Sequence, residues 1–193
     1  MKRTTWIILG VVAAVILWCV FAYNSLVSTE ESTSSAWAQV ESVYQRRADL
    51  IPNLVNTVKG SAEFESNTLQ EVVEARTAAM GVKADPSKLT EEQVAQFEKA
   101  QNNLSGALQR LMVVVERYPD LKTTANFREL QAQLEGTENR IAVERMKFNE
   151  AVKKYNRTIR RFPSNLIASM FDFEKKGYFA AAEGAENAPE VKF

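Results

Sequence analysis

The chain has 193 residues, 24 basic and 24 acidic side chains, and no histidine. Zero net charge removes the electrostatic case for nucleic acid as a partner. The lack of histidine excludes His-based catalysis and leaves any metal site only carboxylate or thiolate ligands. Seven glycines and five prolines favour long helices over a turn-rich sheet protein.

Residues 6–22, Trp6 to Ala22, carry no charge and span roughly 26 Å as a helix, enough to cross a bilayer once. Trp6, Trp18 and Tyr23 lie towards the ends, where amphipathic rings suit headgroups. A cleaved signal peptide is the competing reading, with Val20-Phe21-Ala22 as a passable cleavage site. The apolar run exceeds a usual signal core, so an uncleaved anchor is expected. Lys2 and Arg3 precede it, and no further Lys or Arg occurs until Arg46. This places residues 1–5 in the cytoplasm and the main domain outside it. Cys19 is the single cysteine, so no intrachain disulfide forms, and bulky Trp18 before it argues against acylation.

Residues 23–35, rich in Ser and Thr, read as a short tether. A helix is predicted from about Ser35 to Met80, with apolar residues in steps of three and four from Trp37 to Val73. Pro52 deletes a hydrogen bond within it and predicts a kink. Gly81 to Leu89 is a connection. Thr90-Glu-Glu-Gln93 is a capping box. It opens a helix with the stripe Val94, Phe97, Gln101, Leu104, Leu108, Leu111, Val115, Tyr118, polar only at Gln101. A third helix runs from about Thr124 to Arg161, and a short segment around Leu166, Ile167, Met170 and Phe171 follows. The fold class is all-α: a transmembrane helix, then a long antiparallel four-helix bundle over 36–176, then an arm over 177–193.

No phosphate loop, zinc spacing or nucleophilic triad occurs, and no cofactor is expected. Glu91 and Glu92 sit in a helix first turn, where they complement its dipole. Glu63, Glu65, Glu71 and Glu74 lack the histidines that a di-iron bundle uses. The run Gln45-Arg46-Arg47-Ala48-Asp49-Leu50-Ile51-Pro52-Asn53 holds more information. Arg47 lies at the edge of the apolar stripe, and a buried guanidinium needs an acceptor. Asp49 cannot face it on one helix, so its partner belongs to another helix. Arg46, Arg47, Asp49 and Asn53 therefore mark either a partner or subunit contact or, the preferred reading, an internal ion pair that sets register. Asn149 and Asn156 stand one heptad apart on one face, fixing register, hydrogen-bonding a neighbouring helix, touching a partner or subunit, or binding a small ligand. Leu166, Met170 and Phe171 either form a subunit contact or cap their own bundle.

Tyr23-Asn24-Ser-Leu-Val27, Ala36-Trp37-Ala-Gln39-Val40-Glu41, the Arg46-to-Val55 run, Val58-Lys59-Gly60, Tyr155-Asn156, Phe162-Pro163 and the closing Pro189-Glu-Val-Lys-Phe193 resemble the LemA family over nearly the whole chain. The resemblance implies a bacterial membrane protein with an antiparallel four-helix domain and no established enzyme activity. It also implies association with membrane metalloproteases or TPM-domain proteins, and for some relatives with magnetosome formation. Where relatives often read Val-Lys-Gly-Tyr-Ala-x-His-Glu, this chain has Val58 to Glu65 without that tyrosine or histidine, which argues against a titratable role there. Glu144 replaces a frequent small residue and is a candidate partner for a buried Arg. The leading functional expectation is a non-enzymatic, self-associating membrane scaffold. An adaptor for a membrane protease or TPM-domain protein comes second, an enzyme third and a bilayer-remodelling protein using the aromatic tail fourth.

Overall fold

A computed structural model describes residues 2–60 and 66–180. Every regular element among them is helical: α1 (Lys2–Lys59), α2 (Ser66–Gly81), α3 (Glu91–Val115), α4 (Pro119–Lys122), α5 (Ala125–Arg160) and α6 (Ser164–Met170). The all-α class predicted from periodicity holds. The expected tail beyond Ala180, and the Ser61–Glu65 segment discussed above, lie outside the described residues.

α1 is one helix of 58 residues, roughly 87 Å long. The tether reading is therefore corrected. Its hydroxyls bond back to the helix's own carbonyls: Thr29 Oγ1 donates to Leu26 O at 2.9 Å, Ser32 Oγ to Ser28 O at 2.8 Å and Thr33 Oγ1 to Glu30 O at 2.6 Å. Such back-bonding lets Ser and Thr sit within a helix despite modest propensity. Tertiary packing decides the matter, because Leu26, Thr29, Thr33, Trp37, Val40 and Tyr44 form one buried stripe across the tether and into the core.

The helix predicted over 35–80 is also corrected. α1 ends at Lys59 with basic charge in its last turn, and α2 runs back beside it. Arg76 Nε reaches Ala48 O at 2.7 Å, a contact that one straight helix, about 42 Å between those residues, could not make. α1 passes through Pro52 without ending. Thr90 caps α3 as predicted, with the capping box complete through Gln93. Thr124 caps α5, its Oγ1 accepting from Phe127 N at 3.3 Å.

The four bundle helices are the distal part of α1 with α2, α3 and α5. α5 lies antiparallel along α1 in three apolar layers. The far layer joins Ile51, Leu54 and Val58 to Leu104, Leu111 and Phe127. The middle layer joins Trp37, Val40 and Tyr44 to Phe97, Ile141 and Phe148. The near layer joins Ala22 and Leu26 to Tyr155, Ile159, Ile167 and Ala168. The short fourth helix expected to complete the bundle, α6, instead packs on α1 at the end of the apolar run. It ends at Met170, and Asp172 just beyond its cap adopts a left-handed φ of 55°. There Phe173 N donates to Ala168 O at 2.9 Å, the bond that closes many helix C-termini.

Candidate functional site

Two polar layers separate the three apolar ones, and they hold Arg47, Asn149 and Asn156 of the residues singled out in the sequence, along with Gln101. The first is built on Arg47, buried to 1% exposure. Its Nη1 donates to Ser105 Oγ at 2.7 Å and to Glu138 Oε2 at 2.9 Å. Its Nη2 donates to Gln101 Oε1 at 2.8 Å and to Gln101 O at 3.2 Å. Gln101 Nε2 in turn donates to Ala79 O at 3.4 Å. One guanidinium thus ties α1 to α3 and α5, and through Gln101 to α2. Arg47 Nε is buried without a hydrogen-bond partner among the described residues, and the guanidinium carbon lies 5.0 Å from the Tyr44 ring centre. Burial raises the Tyr44 phenol above its ordinary value, against the opposing pull of Arg145 and Arg47.

The partner on another helix, anticipated from the spacing, is Glu138. The suggestion of Glu144 is corrected: Glu144 pairs with Lys147 at 2.8 Å. Arg46, Asp49 and Asn53 are exposed, and Asp49 accepts from Gln45 Nε2 at 2.8 Å.

Pro52 belongs to the same layer for a different reason. A proline has no N–H for the carbonyl four residues back, which here is Ala48 O, and Arg76 Nε supplies the missing donor. Pro52 itself faces solvent. Arg76 carries no periodic signature, so this partnership was not readable from the chain.

The second polar layer is organised by the extended segment after α6, residues 173–180, which forms a strap along α5. Asn156 Nδ2 donates to Lys176 O at 2.8 Å while its Oδ1 accepts from Lys176 N at 3.0 Å. Asn149 does the same with Phe179, at 3.0 and 2.9 Å. Each side-chain amide thus pairs with one residue's backbone N–H and C=O. The heptad spacing matches the strap. Seven helical residues rise about 10.5 Å, and three extended residues cover about 9–10 Å.

Between these clamps, Gly177 crosses the start of α3. A Cβ there would lie 2.5 Å from Glu91 Cα and 2.8 Å from Glu91 N, so only glycine fits. Gly177 N donates to Leu89 O at 2.8 Å. Phe179 enters the middle layer, stacked on Trp37 with ring centres 5.7 Å apart. Arg145 covers its other side, 4.7 Å from the ring centre, and is ion-paired with Glu98.

Lys176 is the least expected side chain of the layer, at 1% side-chain exposure. Its Nζ donates to Ser87 O at 2.7 Å and Pro86 O at 3.3 Å, and pairs with Glu30 at 3.2 Å. It also faces the Tyr155 ring, 5.4 Å away. The Tyr155 hydroxyl is buried with no hydrogen-bond partner among the described residues. Burial first, then the carboxylates of Glu30 and Glu174, pushes that phenol well above its ordinary range. One lysine therefore joins the strap, the α2–α3 connection and the stretch of α1 first read as a tether.

Leu166, Met170 and Phe171 are exposed on α6 and its cap. Among the described residues no three His, Cys, Asp or Glu side chains approach closely enough to hold a metal.

Residues 6–22 of α1 are apolar and almost entirely outside the packed core. A single bare apolar helix leading into an all-helical bundle fits a membrane protein, with no strand among its described residues. A profile described as the LemA family matches residues 36–193, and the chain belongs to that family. It is 28% identical over 187 residues to Magnetosome protein MamQ 2 of Paramagnetospirillum magneticum, covering 87% of this chain and 68% of that protein. It is 26% identical over 174 residues to Magnetosome protein MamQ of Magnetospirillum gryphiswaldense, covering 81% and 64%. Protein LemA of Metamycoplasma hominis is 21% identical over 160 residues, covering 83% and 69%.

Proposed function

We propose that this protein is a non-catalytic scaffold of the bacterial inner membrane, with its N-terminus in the cytoplasm, that self-associates into arrays of parallel bundles. One observation carries the reading: α1 is unbroken from the apolar run to the far end of the bundle. A flexible tether would let the domain tumble. A continuous helix fixes its tilt and height relative to the bilayer, so every copy presents the same flank at the same level. Confinement of like-oriented copies to one plane raises their effective concentration, and side-by-side contacts of one kind build rings or rows. Exposed Val143, Met146 and Tyr178 offer apolar surface on such a flank. The polar layers support a structural role, since Lys176 and both terminal nitrogens of Arg47 are taken up by internal partners.

The test is extraction of the full-length protein with its surrounding lipid and measurement of particle mass. Particles holding a defined number of copies above one are expected. A single copy per particle at every expression level contradicts self-association.

An adaptor role has one observation of its own. Arg46, Asp49 and Asn53 are exposed at steps of three and four, so they form an outward polar row on α1. The row suits docking of a membrane metalloprotease or TPM-domain partner. Arg46→Glu then abolishes co-purification with that partner and leaves helix content intact.

A further inference from the structure

α6 sits at a level along α1 that decides what its exposed face meets. Ile167 and Ala168 pack with Ala22 and Leu26, and Cys19 and Phe173 join the same cluster. The Tyr23 ring lies 4.9 Å from that of Phe171 and 6.0 Å from that of Phe173, centre to centre. These are the last turn of the apolar run and the first turn beyond it. If residues 6–22 occupy the hydrocarbon, α6 stands at the headgroup boundary and nowhere else.

Its outward face carries large apolar side chains beside the small polar Asn165 and Ser169. Phe162 is 77% exposed, Leu166 53%, Met170 73% and Phe171 55%. Beside them, Arg157, Arg160 and Arg161 are exposed and make no ion pair with a described residue. Arg157 and Arg160 also complement the C-terminal dipole of α5, which leaves their charge available. Asp172 and Glu174 are exposed carboxylates in the stretch after α6, followed at once by exposed Lys175. Apolar side chains bordered by arginines form the pattern of a segment that lies in a membrane interface.

The apolar run is also short, roughly 26 Å against a hydrocarbon core of about 30 Å. Apolar surface added at that one end relieves such a mismatch.

We infer that α6 and its flanks form a membrane foot. Phe162, Leu166, Met170 and Phe171 enter the headgroup–acyl boundary of the bilayer that residues 6–22 cross, and Arg157, Arg160 and Arg161 bind lipid phosphates. The inference rests on residues 6–22 crossing the bilayer. It assigns the exposed α6 side chains to lipid rather than to a second copy.

The test uses the full chain with Cys19→Ala, one copy per lipid nanodisc of phosphatidylcholine and phosphatidylglycerol. Spin labels are placed singly through Met170→Cys, Val12→Cys in the span and Val113→Cys in α3. Collision with oxygen, which concentrates in lipid, is compared with collision with a water-soluble nickel chelate. The labels at 12 and 170 are expected to favour oxygen, and the label at 113 the chelate. A lipid-exposed label at 12 with a water-exposed label at 170 overturns the foot and leaves the anchor standing. A water-exposed label at 12 overturns both. A label at 170 shielded only in discs that hold two copies assigns the face to a subunit contact and overturns the foot. Combined Arg157→Gln, Arg160→Gln and Arg161→Gln is expected to shift the label at 170 towards water with helix content retained. No shift overturns the phosphate contacts.

Discussion

Arg47 shows how a buried charge can be structural. Arg47→Ala leaves Gln101 and Ser105 without their buried partner and opens a cavity between the helices, and is expected to cost about 2–4 kcal/mol in chemical denaturation. Glu138 is itself more than half exposed, and Glu138→Gln keeps an acceptor for Nη1 but leaves the buried guanidinium without a carboxylate, so a cost of about 1–3 kcal/mol is expected. Arg46→Ala, one residue away and exposed, is expected to stay within about 0.5 kcal/mol of the parent. Tyr155 should behave in the opposite sense. Its hydroxyl is buried without a described partner, so Tyr155→Phe is expected to leave stability unchanged or raise it by about 1 kcal/mol. The pH sign follows from the raised pKa values of Tyr44 and Tyr155. Both phenols stay neutral in the fold while those of the unfolded chain ionise near pH 10. Stability is full below that pH and falls as pH rises above it. Alkaline denaturation curves of the Tyr44→Phe, Tyr155→Phe double variant are expected to lose that slope.

Among the elements, Pro52 and Arg76 form a testable pair. Arg76→Met removes the donor that serves Ala48 O and is expected to cost about 1–2 kcal/mol. Pro52→Ala restores a backbone N–H for the same carbonyl, so the Arg76 substitution is expected to cost less in that background. A double-mutant cycle reads the difference directly, and strict additivity would contradict the shared carbonyl. The strap depends on its two asparagines. Asn149→Ala or Asn156→Ala deletes two hydrogen bonds each and is expected to cost about 1–3 kcal/mol, with faster amide exchange at Lys176 or Phe179.

Much of this level was legible in the sequence. Thr90 and Gln93 marked one helix start, Thr124 another, and Gln101 stood out as the polar residue in an apolar stripe. Three features were not legible, for physical reasons. The Ser- and Thr-rich stretch 23–35 is helical because its hydroxyls bond backwards and its inner face is packed, which local propensity does not reveal. The break after Lys59 interrupts an apolar stripe that is in phase on both sides. Asn149 and Asn156 announced a shared face, but their partner is an irregular strap with no periodicity to read.

At the scale of the whole molecule, the helix from the apolar run to the bundle tip gives the protein its character. The bundle is layered, apolar and polar in turn, and each polar layer is tied to α1 by Arg47 or Glu30. The near layer clamps α1 at Ala22 and Leu26, so the domain is held to its anchor by side-chain packing as well as by the backbone. In the proposed scaffold, this rigid coupling is what would align neighbouring copies. The direct measurement is a pulsed-resonance distance between spin labels at Val12→Cys and Asn56→Cys, in Cys19→Ala protein in nanodiscs, diluted with unlabelled chains. A continuous α1 predicts one narrow distance near 66 Å. A broad distribution centred well below that value would place a hinge between membrane and bundle and contradict the account.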